Sequence, residues 1–236
     1  RNLAMWSAAG EVLAFTDDDC MPQPGWLLHG LEAMGAADVV QGKTWPSGPT
    51  TPFDHSIWAE PPTWRWETCN LFVRRDCAVR AGGFDESFIV AGEDVEWGWR
   101  LVRTGAVPAF AADAVVHHAV TRLGSFGVLR YKAAMVSAFP QALRRAPEAR
   151  KALYGRYFMN QRQAVMSASL VLGVAALAVR RHRRLKRVLA AGAAGAYLSR
   201  PDIRRFAEGL LVRALTEATQ VAAVSYGSVR WRRLLL

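Results

Sequence analysis

Two groups of acidic residues set the chemistry this chain could perform. Asp17, Asp18 and Asp19 follow directly on the apolar stretch 12–15, and Glu93, Asp94 and Glu96 lie in the segment Gly92-Glu93-Asp94-Val95-Glu96-Trp97. Three adjacent carboxylates repel one another, so they stay ionised together only where a cation or several donors compensate them. A hard divalent ion, Mg2+ or Mn2+, does this with oxygen ligands and commonly recruits substrate phosphates into its shell. A solvated acidic turn is the plain structural account of the triplet, but ligand groups in α/β sheets gather at strand ends such as this one. In the second group, carboxylates in the first turn of a helix complement its dipole, a sufficient structural account in itself. As chemistry, one of them projecting into a cleft beside Trp97 or Trp99 would act as a general base toward an acceptor hydroxyl.

The elements that must position these groups are legible from punctuation and periodicity. Residues 4–9 predict a short helix ended by Gly10, and 12–15 a short buried strand running into the acids. After a turn at Pro22, Pro24 and Gly25, the helical spacing of Trp26, Leu27, Leu28, Leu31 and Met34 ends at Gly35, and 39–42 reads as a strand. Residues 45–66, where prolines alternate with Trp45, Trp58, Trp64 and Trp66, form a loop that either packs on the surface or offers indole faces to sugars. Residues 70–73 predict a strand, 75–81 a helix, Gly82-Gly83 a turn suited to close backbone approach, and 93–103 a helix stopped at Gly105. A last strand, 114–118, ends in His117-His118, whose side chains alternation sends to opposite faces.

Charge divides the chain. Residues 1–120 hold 8 Lys/Arg against 16 Asp/Glu, and residues 121–236 hold 22 against 4, so the overall +10 conceals an acidic half and a basic half. The basic half is rich in Ala, Leu and Val and poor in aromatics for stacking on bases, which disfavours nucleic acid and favours an anionic membrane surface. Its uncharged stretch, 164–179, falls short of the roughly 20 residues needed to span a bilayer. A shorter apolar run, 188–198, follows the cluster Arg180-Arg181-His182-Arg183-Arg184-Leu185-Lys186-Arg187. The expectation is an interfacial or re-entrant helical pair flanked by basic residues, with an incomplete transmembrane hairpin or two ordinary packed helices as the alternatives. Cys20, Cys69 and Cys77 show no CxxC pairing and are odd in number, which fits reduced thiols better than a disulfide framework or thiolate zinc site.

Taken together, the blocks resemble the family 2 glycosyltransferases of the GT-A fold. The resemblance runs from Arg1 to about His118, in Arg1-Asn2, Phe15-Thr16-Asp17-Asp18-Asp19 with Cys20, Pro22, Pro24, Gly25 and Trp26, the stretch 70–75, Gly82-Gly83-Phe84-Asp85-Glu86, and Gly92-Glu93-Asp94 with Gly98-Trp99-Arg100-Leu101. It implies an α/β fold: the C-terminal portion of a GT-A, Rossmann-like mixed sheet with flanking helices over residues 1–120, followed by an α-helical, basic and apolar region over 121–236. It further implies that Asp17, Asp18 and Arg1 serve the nucleotide-sugar, with Asp17 near the ribose, and that Asn70 lines the donor-sugar pocket. Asp19 would bind a divalent metal, Mg2+ or Mn2+, with His118 or the adjacent His117 completing the site. Asp94 would be the general base and Glu93 its neighbour at the acceptor. The implied reaction is inverting sugar transfer from a nucleotide-sugar to a glycan or lipid-linked acceptor in cell-envelope, polysaccharide or glycolipid synthesis, at the cytoplasmic face of the membrane or in the cytoplasm.

The pattern departs from the family at its beginning, where the first strands, which hold the nucleotide base, are expected before Arg1; the expectation is a partial sequence of a complete enzyme, the alternative being a whole chain with a half-missing donor pocket and an exposed sheet edge. Two other functions use the same residues. A glycoside hydrolase also needs two carboxylates around a sugar, but it needs one of them protonated rather than three crowded together. A non-catalytic membrane-surface or partner-binding protein would keep the acidic half as a degenerate scaffold.

Overall fold

The computed structural model describes residues 1–51, 53–61, 65–158, 161–178, 183–198 and 210–231. Pro52, Pro62 and Trp64 of the expected loop, and residues 179–182 of the apolar and basic stretch, lie outside them.

Five strands form one mixed sheet. β1 (Val12–Thr16), β2 (Cys20–Pro22), β3 (Val39–Pro46), β5 (Asn70–Arg74) and β6 (Pro108–His118) lie in the order β1-β5-β3-β6-β2. The β3–β6 pair is parallel and the other three pairs are antiparallel. A two-stranded ribbon joins β4 (Asp54–His55) to β7 (Thr121–Arg122). Around the sheet lie α1 (Asn2–Ser7), α2 (Trp26–Ala33), α3 (Arg75–Ala81) and α4 (Glu93–Arg103).

The strands read from sequence are present, but two are longer. β3 continues to Pro46, and β6 starts at Pro108 rather than at 114, with a break in register opposite Gly42 and Lys43 where β6 carries extra residues. The expected burial of β1 is corrected: it is an edge strand in which Leu13 is buried while Ala14 and Thr16 are exposed.

One face of the sheet packs Leu13, Val39, Leu71 and Val73 against Ala78 and Ala81 of α3 and Trp97 and Leu101 of α4. The other packs Val40, Phe72, Ala111 and Ala114 against Met34 and half-buried Trp26. Gly30 of α2 is required by this second layer, since a Cβ there would run into the Phe72 ring. Trp97 is fully buried and stacks near Phe84 at 4.2 Å between ring centres, so it belongs to the core and not to a cleft.

The Gly82-Gly83 turn is braced rather than open. Gly82 has φ +76, Trp97 Nε1 donates to its carbonyl at 2.8 Å, and Arg100 donates to the carbonyls of Ala81 at 2.6 Å and Gly83 at 2.7 Å. Asn2 occupies the space that a Cβ on Gly83 would need. The glycines therefore make room for the close approach of Asn2 and Arg100.

Two compact units divide the chain, Arg1–Val128 with Gln141–Ala152, and Leu129–Pro140 with Leu153–Leu236. α5 (Gly124–Arg145) contributes to both. The second unit contains α6 (Gln161–Ala178) and α7 (Arg183–Leu198), which pack together, and α8 (Leu210–Trp231). Among the described residues, no helix is long and apolar enough to cross a membrane.

Candidate active site

The three adjacent aspartates are separated by the backbone at the end of β1, and each meets a different environment. Asp17 turns toward Arg1, with Nη2 3.6 Å from its Oδ1. Asp18 is exposed. Asp19 turns the other way, placing Oδ2 3.5 Å from Nε2 of His118. The outer two carboxylates become parts of two neighbouring polar centres, while Asp19 and Asp18 still act on Asp17 by repulsion.

The first centre is built on the N-terminus of α4. Arg1 Nη1 donates to Glu93 Oε1 at 2.6 Å and to Asp94 Oδ1 at 2.9 Å, so one guanidinium bridges Asp17, Glu93 and Asp94. Thr68 donates to the second oxygen of Asp94 from both its backbone N and its Oγ1, each at 3.1 Å. Burial, followed by repulsion from Glu93, raises the Asp94 carboxyl to about 7 against the opposing pull of Arg1 and Thr68. Burial also raises Asp17, opposed by Arg1. Glu96 is separate: it is buried and paired with Arg100 on its own helix, at 2.8 Å and 3.0 Å, and serves the fold.

Asp94 thus combines what a general base needs. Its value lies near neutrality, its orientation is held by two donors, and its Oδ1 faces a side chain rather than core atoms. Its partner Arg1 and its neighbour Glu93 line a pocket of about 250 Å³ together with Asn2, Phe84, Phe88 and Ile89. Trp99 is half-buried and meets Trp66 edge-on. Trp66 itself is buried with φ +55, and its indole N–H has no hydrogen-bond partner among the described residues, two local costs concentrated two residues before Thr68.

The second centre lies where β2 meets β6. Cys20 and His118 are direct antiparallel partners, which puts both side chains on one face of the sheet. His118 is 4% exposed, and its Nδ1 lies 2.8 Å from the carbonyl of Ala119. Ser56 Oγ lies 3.4 Å from the same nitrogen, so Nδ1 is held by neighbours within the protein and Nε2 is the ring nitrogen directed at Asp19. Ligand atoms of Asp19, Cys20 and His118 lie within 4.8 Å of one another. A carboxylate oxygen and a ring nitrogen 3.5 Å apart, the nitrogen on a buried ring oriented by a carbonyl, match the ligand types of a divalent cation. His117 pairs with Met21 at the next register position, away from this cluster.

Asn70 belongs to neither centre. It is fully buried, its Oδ1 accepts from Trp26 Nε1 at 2.8 Å, and its amide donates to the carbonyls of Lys43 at 2.9 Å and Ala114 at 2.8 Å. It underpins the site from within the sheet instead of lining it. Sequence reasoning missed Thr68, whose role comes from a backbone approach to Asp94 that no local pattern signals. It placed Cys20 in the block with the aspartates but gave it no part in the metal centre, although its place directly after them was the signal.

No protein-family model matches the chain. Glycosyltransferase AglE of Haloferax volcanii is 32% identical over 136 residues, covering 52% of this chain and 44% of that protein. An N-acetylglucosaminyl-diphospho-decaprenol L-rhamnosyltransferase of Mycobacterium tuberculosis is 35% identical over 89 residues, 36% of this chain and 29% of that one. Among solved structures, the mannosyltransferase PcManGT from Pyrobaculum calidifontis, in complex with GDP-Man and Mn2+, superposes with a TM-score of 0.58 at 20% identity, covering 98% of this chain and 65% of that one. The fold is GT-A. With these relatives, the resemblance to the family 2 glycosyltransferases holds, and the GT-A sheet is the scaffold on which both polar centres sit. The chain spans less than half the length of the two curated relatives named here.

Proposed function

We propose that this chain is the catalytic part of a glycosyltransferase that moves a sugar from a nucleotide-sugar donor to an acceptor hydroxyl with inversion at the anomeric carbon. The observation that carries the reading is the geometry of Asp94, a carboxylate near neutrality, oriented by Thr68 and by Arg1, which lines a pocket, and next to a second centre suited to a divalent ion. Asp94 takes the proton of the acceptor hydroxyl as that oxygen attacks the anomeric carbon from the face opposite the diphosphate. Thr68 keeps the carboxylate aimed, and Glu93 holds Arg1 in place at the acceptor side. Asp17 and Arg1 serve the donor nucleotide. Asp19 and His118 would hold Mg2+ or Mn2+, which supplies charge stabilisation for the departing diphosphate.

One relative's name specifies a lipid-linked sugar, which supports reading the acceptor as glycan or lipid-linked, in polysaccharide or cell-envelope synthesis. We read residues 1–120 as the transferase part and 121–236 as a region that holds it at an anionic membrane surface, on the cytoplasmic face. The test is calorimetry of UDP and GDP with the chain in Mn2+, repeated with Asp19→Ala. Metal-dependent nucleotide binding that the substitution abolishes is the expected result. Nucleotide binding indifferent to Mn2+ and to Asp19 would overturn the role given to this centre.

A further inference from the structure

The sulfur beside the second centre is not required by a site made for Mg2+. Cys20 Sγ lies 3.9 Å from Asp19 Oδ1, on the opposite carboxylate oxygen from the one facing His118. Its strand register with His118 is direct, so rotation about one side-chain bond moves the sulfur without moving the strand. A first-row cation bonded to oxygen and nitrogen at about 2.0–2.2 Å and to sulfur at about 2.3 Å brings its ligands within about 3.3–3.8 Å of each other. The present set, within 4.8 Å, closes to that geometry through small side-chain adjustments. Independently, His118 is buried and aims an otherwise unpaired Nε2 into the same space, so the centre is more than an acidic turn with a neighbouring thiol.

We propose that Cys20 is the third protein ligand of the cation held by Asp19 and His118, and that its thiolate biases the centre toward thiophilic first-row ions over Mg2+. The inference rests on the metal centre of the proposed function and adds to it an ion preference. Mg2+ takes oxygen ligands almost exclusively, whereas imidazole and thiolate suit Co2+ and Zn2+. Binding displaces the thiol proton to solvent. The exposed flank of Asp19 leaves coordination positions on the open side for diphosphate oxygens.

Co2+ titration of the full chain, reduced with a phosphine, tests this without any transfer assay. A near-ultraviolet thiolate-to-cobalt charge-transfer band is expected in the wild type, lost in both Cys20→Ser and Cys20→Ala. Calorimetry should show Co2+ binding weakened by about tenfold or more in these variants, the scale expected on losing a partner of a metal site, with Mg2+ binding unchanged. Cys69 is buried, bonded to Thr44 Oγ1 at 3.7 Å, and in hydrogen-bonding contact with Cys20, so Cys69→Ser is the necessary control and should keep the band. Co2+ binding by folded wild type without the band overturns the thiolate ligand and leaves the metal centre standing. A band surviving in Cys20→Ser also overturns it. Absence of any Co2+ binding overturns both.

Discussion

Asp94 is surrounded by opposing demands, and they yield tests at the level of one residue. Burial and Glu93 push its carboxyl to about 7, while Arg1 and Thr68 pull it down. As the base must be ionised to act, kcat/KM should rise with pH through about 7 and then level off, and a profile flat from pH 5 to 8 would contradict the assignment. Asp94→Asn should lower kcat by about 10²–10⁴. Thr68→Val removes one of the two donors to Oδ2 and should move the midpoint of the pH profile upward, which a purely structural threonine would not do. The same raised value acts on folding with the opposite sign. The folded carboxyl holds its proton more tightly than the unfolded one, so stability falls as pH rises from about 4 to about 7 and falls no further above that. Asp17 adds to this in the same direction. In metal-free buffer, Asp94→Asn should therefore raise Tm more at pH 8 than at pH 5, and equal shifts at both would show that the carboxylate is not strained by desolvation. The residue types of this site were legible in the sequence because acidic runs and glycines announce themselves. Thr68 was not, since its importance arises from where the chain folds back onto α4.

At the scale of elements, what the sequence showed well was local and what it missed was tertiary. α3 and β5 were readable from apolar spacing and their flanking residues, and α4 from its acidic first turn and Gly105. The first half of β6 was not, because Pro108 and the alanines after it have low strand propensity and are extended only by pairing with Val39 through Gly42 of β3. Asn70 shows how such pairings are fixed. One side chain ties α2 through Trp26, β3 through Lys43 and β6 through Ala114, which is why it is not free to line a donor pocket. Asn70→Ala leaves buried donors and acceptors without partners, each costing about 1–3 kcal/mol, so a loss on the order of 3 kcal/mol is expected as a lower urea midpoint with an unchanged slope. Unaltered stability combined with lost nucleotide binding would instead return Asn70 to the donor site.

For the molecule as a whole, the half of the chain that carries the positive charge also exposes apolar side chains on its helices. Residues 121–236 carry 22 of the 30 Lys/Arg. On the paired helices α6 and α7, Val171 is 68% exposed, Val174 65% and Val188 66%, and Leu170 and Leu185 are also exposed. Cations alone would give binding that salt abolishes, because the Debye length shrinks to roughly 3 Å at 1 M. Apolar side chains alone would give binding indifferent to lipid charge. Their coexistence makes a two-part expectation for the full chain with vesicles. Affinity should rise with the fraction of anionic lipid and weaken with salt to a residual level, and Val171→Glu with Val174→Glu should remove that residue of binding while leaving the salt-sensitive part. Flotation with phosphatidylserine and phosphatidylcholine vesicles measures both parts. Equal recovery on neutral and anionic vesicles would remove the electrostatic part. No recovery on either, at low salt, would leave the basic half to act on something other than a membrane, since neither its charge nor its valines would then have found a lipid surface.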